Sequence, residues 1–199
     1  MMIYRRRPQM KKQPEITAQT RENLIEAFWS LYCKKKIEHI TIKEITDNAG
    51  YHRSTFYEYF VDIYDVLNQL EDALLEYIKM NAIDNLDFRQ GEDLTQSIAY
   101  IYDKKGAYLS VLLGENGDPN FLKKVKALLL PVLTDTLGLA EQEIHTSYIF
   151  EFATSGILAV VTHWYNHGKD LPTQELAELV RSMMIGGVLP MIQKYSTES

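Results

Sequence analysis

The nine residues "HRSTFYEYF" at 52–60 set His52, Arg53, Ser54 and Thr55 beside Tyr57 and Tyr59, with Phe56 and Phe60 between them. A guanidinium matches the O6 and N7 acceptors of guanine, small hydroxyls can donate, accept or touch a thymine methyl, and tyrosine hydroxyls suit phosphate oxygens. This set of side chains could read a nucleic acid. The same aromatic density also suits a core helix, and Phe56 and Phe60 fit that role better than a surface one. Other candidate chemistry is thinner. His163 and His167 stand at i, i+4, a spacing able to hold a metal, but no flanking Glu or third ligand completes an H-E-x-x-H-type site. The single cysteine, Cys33, excludes an internal disulfide framework and a Cys-rich zinc site. With no phosphate-cradling glycine loop and no G-x-S-x-G, the residues predict no enzyme, cofactor or resident metal.

The elements that must position these residues are helices. Leu24, Ala27, Phe28, Leu31 and Tyr32 keep helical spacing over about 18–35, and Lys34, Lys35 and Lys36 fall where cations suit a helix C-terminus. Thr41-x-x-Glu44 has capping-box spacing, predicting a short helix from Ile42 to Ala49 that Gly50 ends by supplying a positive φ. The aromatic stretch follows directly. Asp62 can cap a long helix through Met80, and the pattern breaks between Asn81 and Gly91. Helical stretches near 92–104 and 105–113 meet at "DKKGAY". Asp118 and Pro119 read as N-cap and first residue of a helix that Pro131 should kink and Gly138 should end. Two long helices around 141–168 and 173–192, joined by "KDLP", complete an all-α chain. No alternating strand pattern, repeat or low-complexity tract appears.

With 199 residues, 46% of them apolar, the chain is large enough for one large domain or two small ones. Net charge is −6, but residues 1–60 hold 11 Lys+Arg against 7 Asp+Glu, while the remainder holds 10 against 20. A basic module on an acidic body points either to nucleic-acid contact or to a solubilising arm, "RRRPQMKK". No apolar h-region follows the N-terminal charge and no run of about 18 apolar residues occurs, so a cytoplasmic protein without a membrane partner is expected.

Two short helices across a glycine turn form a helix-turn-helix. The residues "TIKEITDNAGYHRSTFYEYFVDIYDVL" resemble the DNA-binding signature of the TetR family of bacterial transcriptional regulators over roughly 18–70. Further on, "LLGENGDPNFLKK" and "SGILAVVTHWYNHG" resemble a subtype common in Gram-positive bacteria. The resemblance implies a basic arm at 1–15, a three-helix head at 16–61, and a regulatory and dimerisation body at 62–195. It implies Thr41 and Lys43 against phosphates, Tyr51, His52, Arg53, Ser54 and Thr55 near base edges, and Tyr57 and Tyr59 on phosphates. Its partners are a double-stranded operator and a second copy, and its activity is repression relieved by a small molecule. A coactivator or ligand-independent member working through protein contacts is the alternative. The chain departs from the family pattern at Ile63, where a lysine is usual, at Thr46, and at His52.

For the body, Tyr77, Tyr100, Tyr108, Phe121, Tyr148, Glu151 and Phe152 are candidates to line an effector pocket, although aromatic stripes also build plain cores. Glu151, inside "YIFEFATSG", should face solvent, meet a cation or line a polar spot. Gly156, Ala159, Val160, His163, Leu179, Val180, Met183 and Gly187 are the expected dimer interface, the small residues allowing close helix approach.

Overall fold

A computed structural model describes residues 14–83, 94–114, 117–137 and 144–187, and the described residues are helical with no strand among them. The chain forms two compact units that divide between Leu70 and Glu71. The division falls inside a helix, later than the expected boundary at 61/62.

The first unit holds α1 (Pro14–Tyr32), a 3-10 turn at Ile37–His39, α2 (Ile42–Ala49), α3 (Arg53–Phe56) and the opening turns of α4 (Ile63–Ile78). α1 starts earlier than its apolar periodicity predicts because Pro14 occupies a first-turn position, where the missing N–H costs nothing. It ends at Tyr32, so the lysine run lies beyond it. Leu24, Phe28, Ile45, Phe56 and Val66 are wholly buried and make the core. Asp62 caps α4 by accepting from the Asp65 backbone N–H at 2.8 Å, and the Asp65 carboxylate accepts in return from the Val61 N–H at 2.8 Å. Gln69 ties this helix start down, donating to Asp65 at 3.1 Å and accepting from the Arg21 guanidinium of α1 at 2.5 Å. These bonds are why the first turns of α4 belong to the head.

The second unit contains the rest of α4, a π-helical turn at Lys79–Ile83, α5 (Leu94–Leu112), α6 (Pro119–Leu137), α7 (Ile144–Asn166) and α8 (Thr173–Gly186). Asp118 accepts from the Asn120 N–H at 2.8 Å, so the Asp-Pro start of α6 is as expected. α6 continues through Pro131 to Leu137, and its expected end at Gly138 lies outside the described residues. Two helices were expected across 92–113; one continuous α5 is found, and Gly106 is a packing site rather than a break. A Cβ there would lie 2.2 Å from the Tyr165 ring on α7. Gly106→Ala should therefore destabilise the body: overpacking of about 1–3 kcal/mol exceeds the helix-propensity gain of up to ~1 kcal/mol. A urea midpoint equal to or above that of the parent protein would refute this reading. α7 and α8 join through Gly168 and Lys169, both at positive φ, and the Trp164 indole N–H closes the turn on the Leu171 carbonyl at 2.8 Å.

One helix departs from the sequence reading on hydropathy. α7 is long and apolar enough, by length and composition, to cross a membrane, with a mean hydropathy of 1.3 over its best window. Its buried residues, among them Ala153, Ile157, Val161 and Trp164, instead form a continuous stripe within the body, and Glu151 on another side pairs with Lys126. That is the pattern of a helix packed on protein.

Candidate nucleic-acid interface

The head is built from its caps outward. Thr41 accepts from the Glu44 N–H at 3.2 Å and donates to the Glu44 carboxylate at 2.9 Å, while its own N–H donates to that carboxylate at 3.0 Å. The Lys35 ammonium meets the other Glu44 oxygen at 2.6 Å. These bonds, that from Lys35 foremost, hold the Glu44 carboxyl below its usual pKa. A negative charge at the start of α2 is thereby neutralised on a surface expected to meet phosphates. Lys35 read in sequence only as a helix-end cation; its pairing with Glu44 depends on how the chain turns through Ile37–His39. Thr46, where the resemblance has a smaller residue, is buried and spends its hydroxyl on the Ile42 and Lys43 carbonyls.

The turn is sharp because Gly50 sits at φ 74 in the left-handed region, letting the Tyr51 N–H bond the Thr46 carbonyl at 2.9 Å. A Cβ at Gly50 would meet nothing within 4 Å, so dihedral preference and not space favours glycine there. α3 then spans only Arg53–Phe56, shorter than the aromatic run suggested, and turns through Tyr57–Tyr59. His52 precedes it without a side-chain cap bond.

Within this short helix the residues divide by face. Phe56 and Phe60 are buried, their ring centroids 5.4 Å apart, and the Arg21 guanidinium lies 5.8 Å from the Phe60 ring. His52, Arg53, Ser54 and Lys43 are exposed, Thr55 is half-buried, and none of these side chains takes a hydrogen bond or ion pair within the described residues. Tyr57 is 60% exposed with its ring edge-on to Phe56, whereas Tyr59 is half-buried. The Tyr51 hydroxyl accepts from the Asn23 amide at 2.9 Å, so that residue is tied to α1 as well as facing the turn. Thr41 is exposed but committed to its cap. The arm lies outside the described residues, apart from the start of α1.

The body answers differently. A cavity of about 30 Å³ is lined solely by apolar surface from Ile78, Ile98, Ile101, Leu109, Val125, Leu158 and their neighbours. None of the seven expected pocket residues lines it. Phe121 is wholly buried in the core; Tyr148 and Phe152 are each 72% exposed, and Tyr100 is also exposed. Tyr77 and Tyr108 are half-buried, with the Lys105 ammonium 4.9 Å from the Tyr77 ring. Helical periodicity established that these aromatics were patterned, not which face would be covered. Glu151 is exposed and pairs with Lys126 and Ser155, and the Lys126 bond keeps its carboxyl below the usual range. The Tyr102 hydroxyl, by contrast, is buried and bonded to Thr162 at 2.5 Å, and burial pushes its pKa up to about 12.

Of the expected interface, Gly156, Ala159, His163 and Gly187 are exposed, and Val160, Leu179 and Met183 are half-buried. Val180 is buried, with Leu176 and Ala177, on the inner face of α8. A Cβ on Gly156 would touch nothing within 4 Å, so this part of α7 is open to close approach.

Residues 91–186 match a family model described as a transcriptional regulator C-terminal region of the TetR type. Among solved structures the chain is similar to a TetR transcriptional regulator from Streptococcus agalactiae, with TM-score 0.65, 19% identity, and coverage of 85% of this chain and 96% of that one. It is similar to NalD, the secondary repressor of the MexAB-OprM multidrug efflux pump in Pseudomonas aeruginosa, with TM-score 0.63, 16% identity, and coverage of 87% and 97%. The dihydroxyacetone kinase operon activator DhaS is also similar, with TM-score 0.51, 18% identity, and coverage of 84% and 94%. No curated protein sequence gives a significant match.

Proposed function

We propose that this chain, which belongs to the TetR family of transcriptional regulators, acts as a homodimeric repressor whose two α3 helices read a palindromic operator and whose release follows binding of a small molecule to the body. The observation that carries the DNA-reading part is the exposed, unpartnered set of His52, Arg53 and Ser54, fixed by Gly50 on one side and the buried Phe56 on the other. Two-fold symmetry converts one such helix per subunit into two half-site readers about one helical turn apart. Lys43 and Tyr57 supply phosphate contacts that set register. A gel-shift titration against DNA from upstream of the chain's own coding sequence tests this. Retention should be sequence-selective and should weaken steeply with salt as counterions are released. Equal retention of scrambled DNA would remove the operator reading, and no retention would remove DNA binding.

A second reading is favoured by the cavity. Effector sites carry a few placed polar groups that fix the ligand, whereas this cavity exposes only apolar surface, so a polar effector would need the surrounding helices to part and bring polar groups in. A regulator acting without a ligand, through protein contacts, needs no such opening. The similar folds include a repressor and an activator, so the direction of regulation rests on operator position. Melting-temperature screening against lipophilic cations and fatty acyl compounds separates the readings: a stabilising hit supports the effector, and uniform failure supports ligand-independent action.

A further inference from the structure

We propose that the apolar cavity is where the body takes its ligand, that the ligand is uncharged and rich in hydrocarbon, and that a fixed wall of α5 and α7 holds it against a yielding wall of α4 and α6; the inference rests on the effector reading above. The lining chemistry excludes charge. Ile78, Ile98, Ile101, Leu109, Leu129 and Leu158 present only apolar surface, so a carboxylate, phosphate or ammonium buried among them would find no compensating group. Tyr102 also lines the cavity, but its hydroxyl is committed. The Thr162 hydroxyl donates its only hydrogen to the Leu158 carbonyl at 2.7 Å, so the Tyr102 hydroxyl must donate to Thr162 and has no hydrogen left for a ligand anion.

The walls differ in how they are held. On one side α5 and α7 are locked together: besides the Tyr102–Thr162 bond, the missing side chain at Gly106 lets the Tyr165 ring press against α5, its centroid 5.8 Å from that of Tyr102. On the other side both helices lose regular hydrogen bonding close to the cavity. α4 passes directly from the lining residue Ile78 into the π-helical turn Lys79–Ile83, which packs on α5 and α6. Single π turns are uncommon and occur often at functional sites. α6 carries Pro131 two residues beyond the lining residue Leu129, and a proline ring offers no N–H to the Ala127 carbonyl and crowds it. Pro131 itself is exposed, so its ring is not there to fill the core. The cavity therefore widens most readily between the end of α4 and α6, where a hydrocarbon chain can enter without breaking the α5–α7 contact.

The test titrates the full-length protein calorimetrically, at neutral pH, with 1-octanol, octanoate and octylammonium. The expected result is saturable binding of 1-octanol, with the two charged probes bound at least about tenfold more weakly. In protein labelled at the Ile, Leu and Val methyls, octanol protons should give nuclear Overhauser contacts to Ile78, Ile101, Val125 and Leu158. Pro131→Ala, which restores an N–H at an exposed position, should raise the melting temperature and weaken 1-octanol binding severalfold. Absence of 1-octanol binding, a charged probe bound as tightly as the alcohol, or contacts confined to methyls outside the cavity would each overturn the site. An unchanged affinity in a folded Pro131→Ala would overturn the yielding wall. A gel shift separates these failures from failure of the effector reading: a charged compound that releases DNA while 1-octanol does not bind leaves that reading standing and removes this site. Occupation of the cavity by 1-octanol without release of DNA supports the site and removes the release reading.

Discussion

Lys124→Met should destabilise the helical body by about 3 kcal/mol, the largest single stability effect expected from a change at a partly exposed position. Glu71 is fully buried in α4, with one carboxylate oxygen bonded to the Lys124 ammonium of α6 at 3.0 Å and the other without a partner among the described residues. Burial outweighs the lysine and raises the Glu71 pKa above its ordinary value. Removing Lys124 leaves a carboxylate in the interior with no compensating charge. The loss sits at the lower end of the range for broken buried pairs because Lys124 is itself 36% exposed and also meets Asp72 at 3.4 Å. Urea unfolding followed by Trp164 fluorescence, in a Trp29→Phe background, reports on the body separately from the head. An unchanged midpoint would show that the pair contributes nothing.

The pH dependence of that experiment has a definite sign. Because the folded-state pKa of Glu71 is raised, its contribution to stability is fully present below the ordinary carboxyl value and is lost as pH rises through the folded value. Without Lys124 the folded value rises further, so acidification should narrow the gap between Lys124→Met and the parent. The exposed carboxyls of Glu44, Asp103 and Glu151 act in the opposite sense: each is lowered first by a lysine hydrogen bond, and its stabilisation disappears as pH falls. Replacing both partners, as Glu71→Leu with Lys124→Met, should be close to neutral, since buried ion pairs are often no better than well-packed apolar residues.

The same pair shows where the sequence stopped being legible. The caps of α2, α4 and α6 were readable at Thr41–Glu44, Asp62 and Asp118–Pro119 because each is made by residues within four positions of one another. Glu71 and Lys124 are 53 residues apart, and nothing local marks either as buried or paired. Gly106 failed for a related reason: a glycine within a helical run reads the same whether it ends the helix or admits a ring from 59 residues away, and only the Tyr165 approach decides. The cavity is another product of tertiary packing, gathering Ile78, Ile101, Val125 and Leu158 from four helices. By contrast, Phe56 and Phe60 lie inside and His52, Arg53 and Ser54 outside, the division that the family resemblance of this stretch implied, even though α3 itself is only four residues long. Local order of side chains survived a wrong estimate of helix length.

Arg53→Ala should abolish operator selectivity while leaving the fold unchanged. Its side chain is exposed at the first position of α3 and makes no bond within the described residues, so removing it takes nothing from the head's core of Phe28, Ile45 and Phe56. If it contacts guanine O6 and N7 together, the loss is about 1–3 kcal/mol for each half-site. A symmetric dimer loses that twice, about 2–6 kcal/mol, which is roughly 30-fold to 2 × 10⁴-fold in affinity at constant salt. Arg53→Lys should recover only part of this, because an ammonium keeps the charge but lacks the planar fork. Binding to scrambled DNA should change little and should keep nearly the same salt slope, since that slope counts neutralised phosphates. The comparison separates two roles for one cation. If Arg53→Ala weakens operator and scrambled DNA equally and flattens the slope by about one charge, and Arg53→Lys restores both, then Arg53 holds a phosphate. Selectivity would in that case have to reside in His52, Ser54 and Thr55.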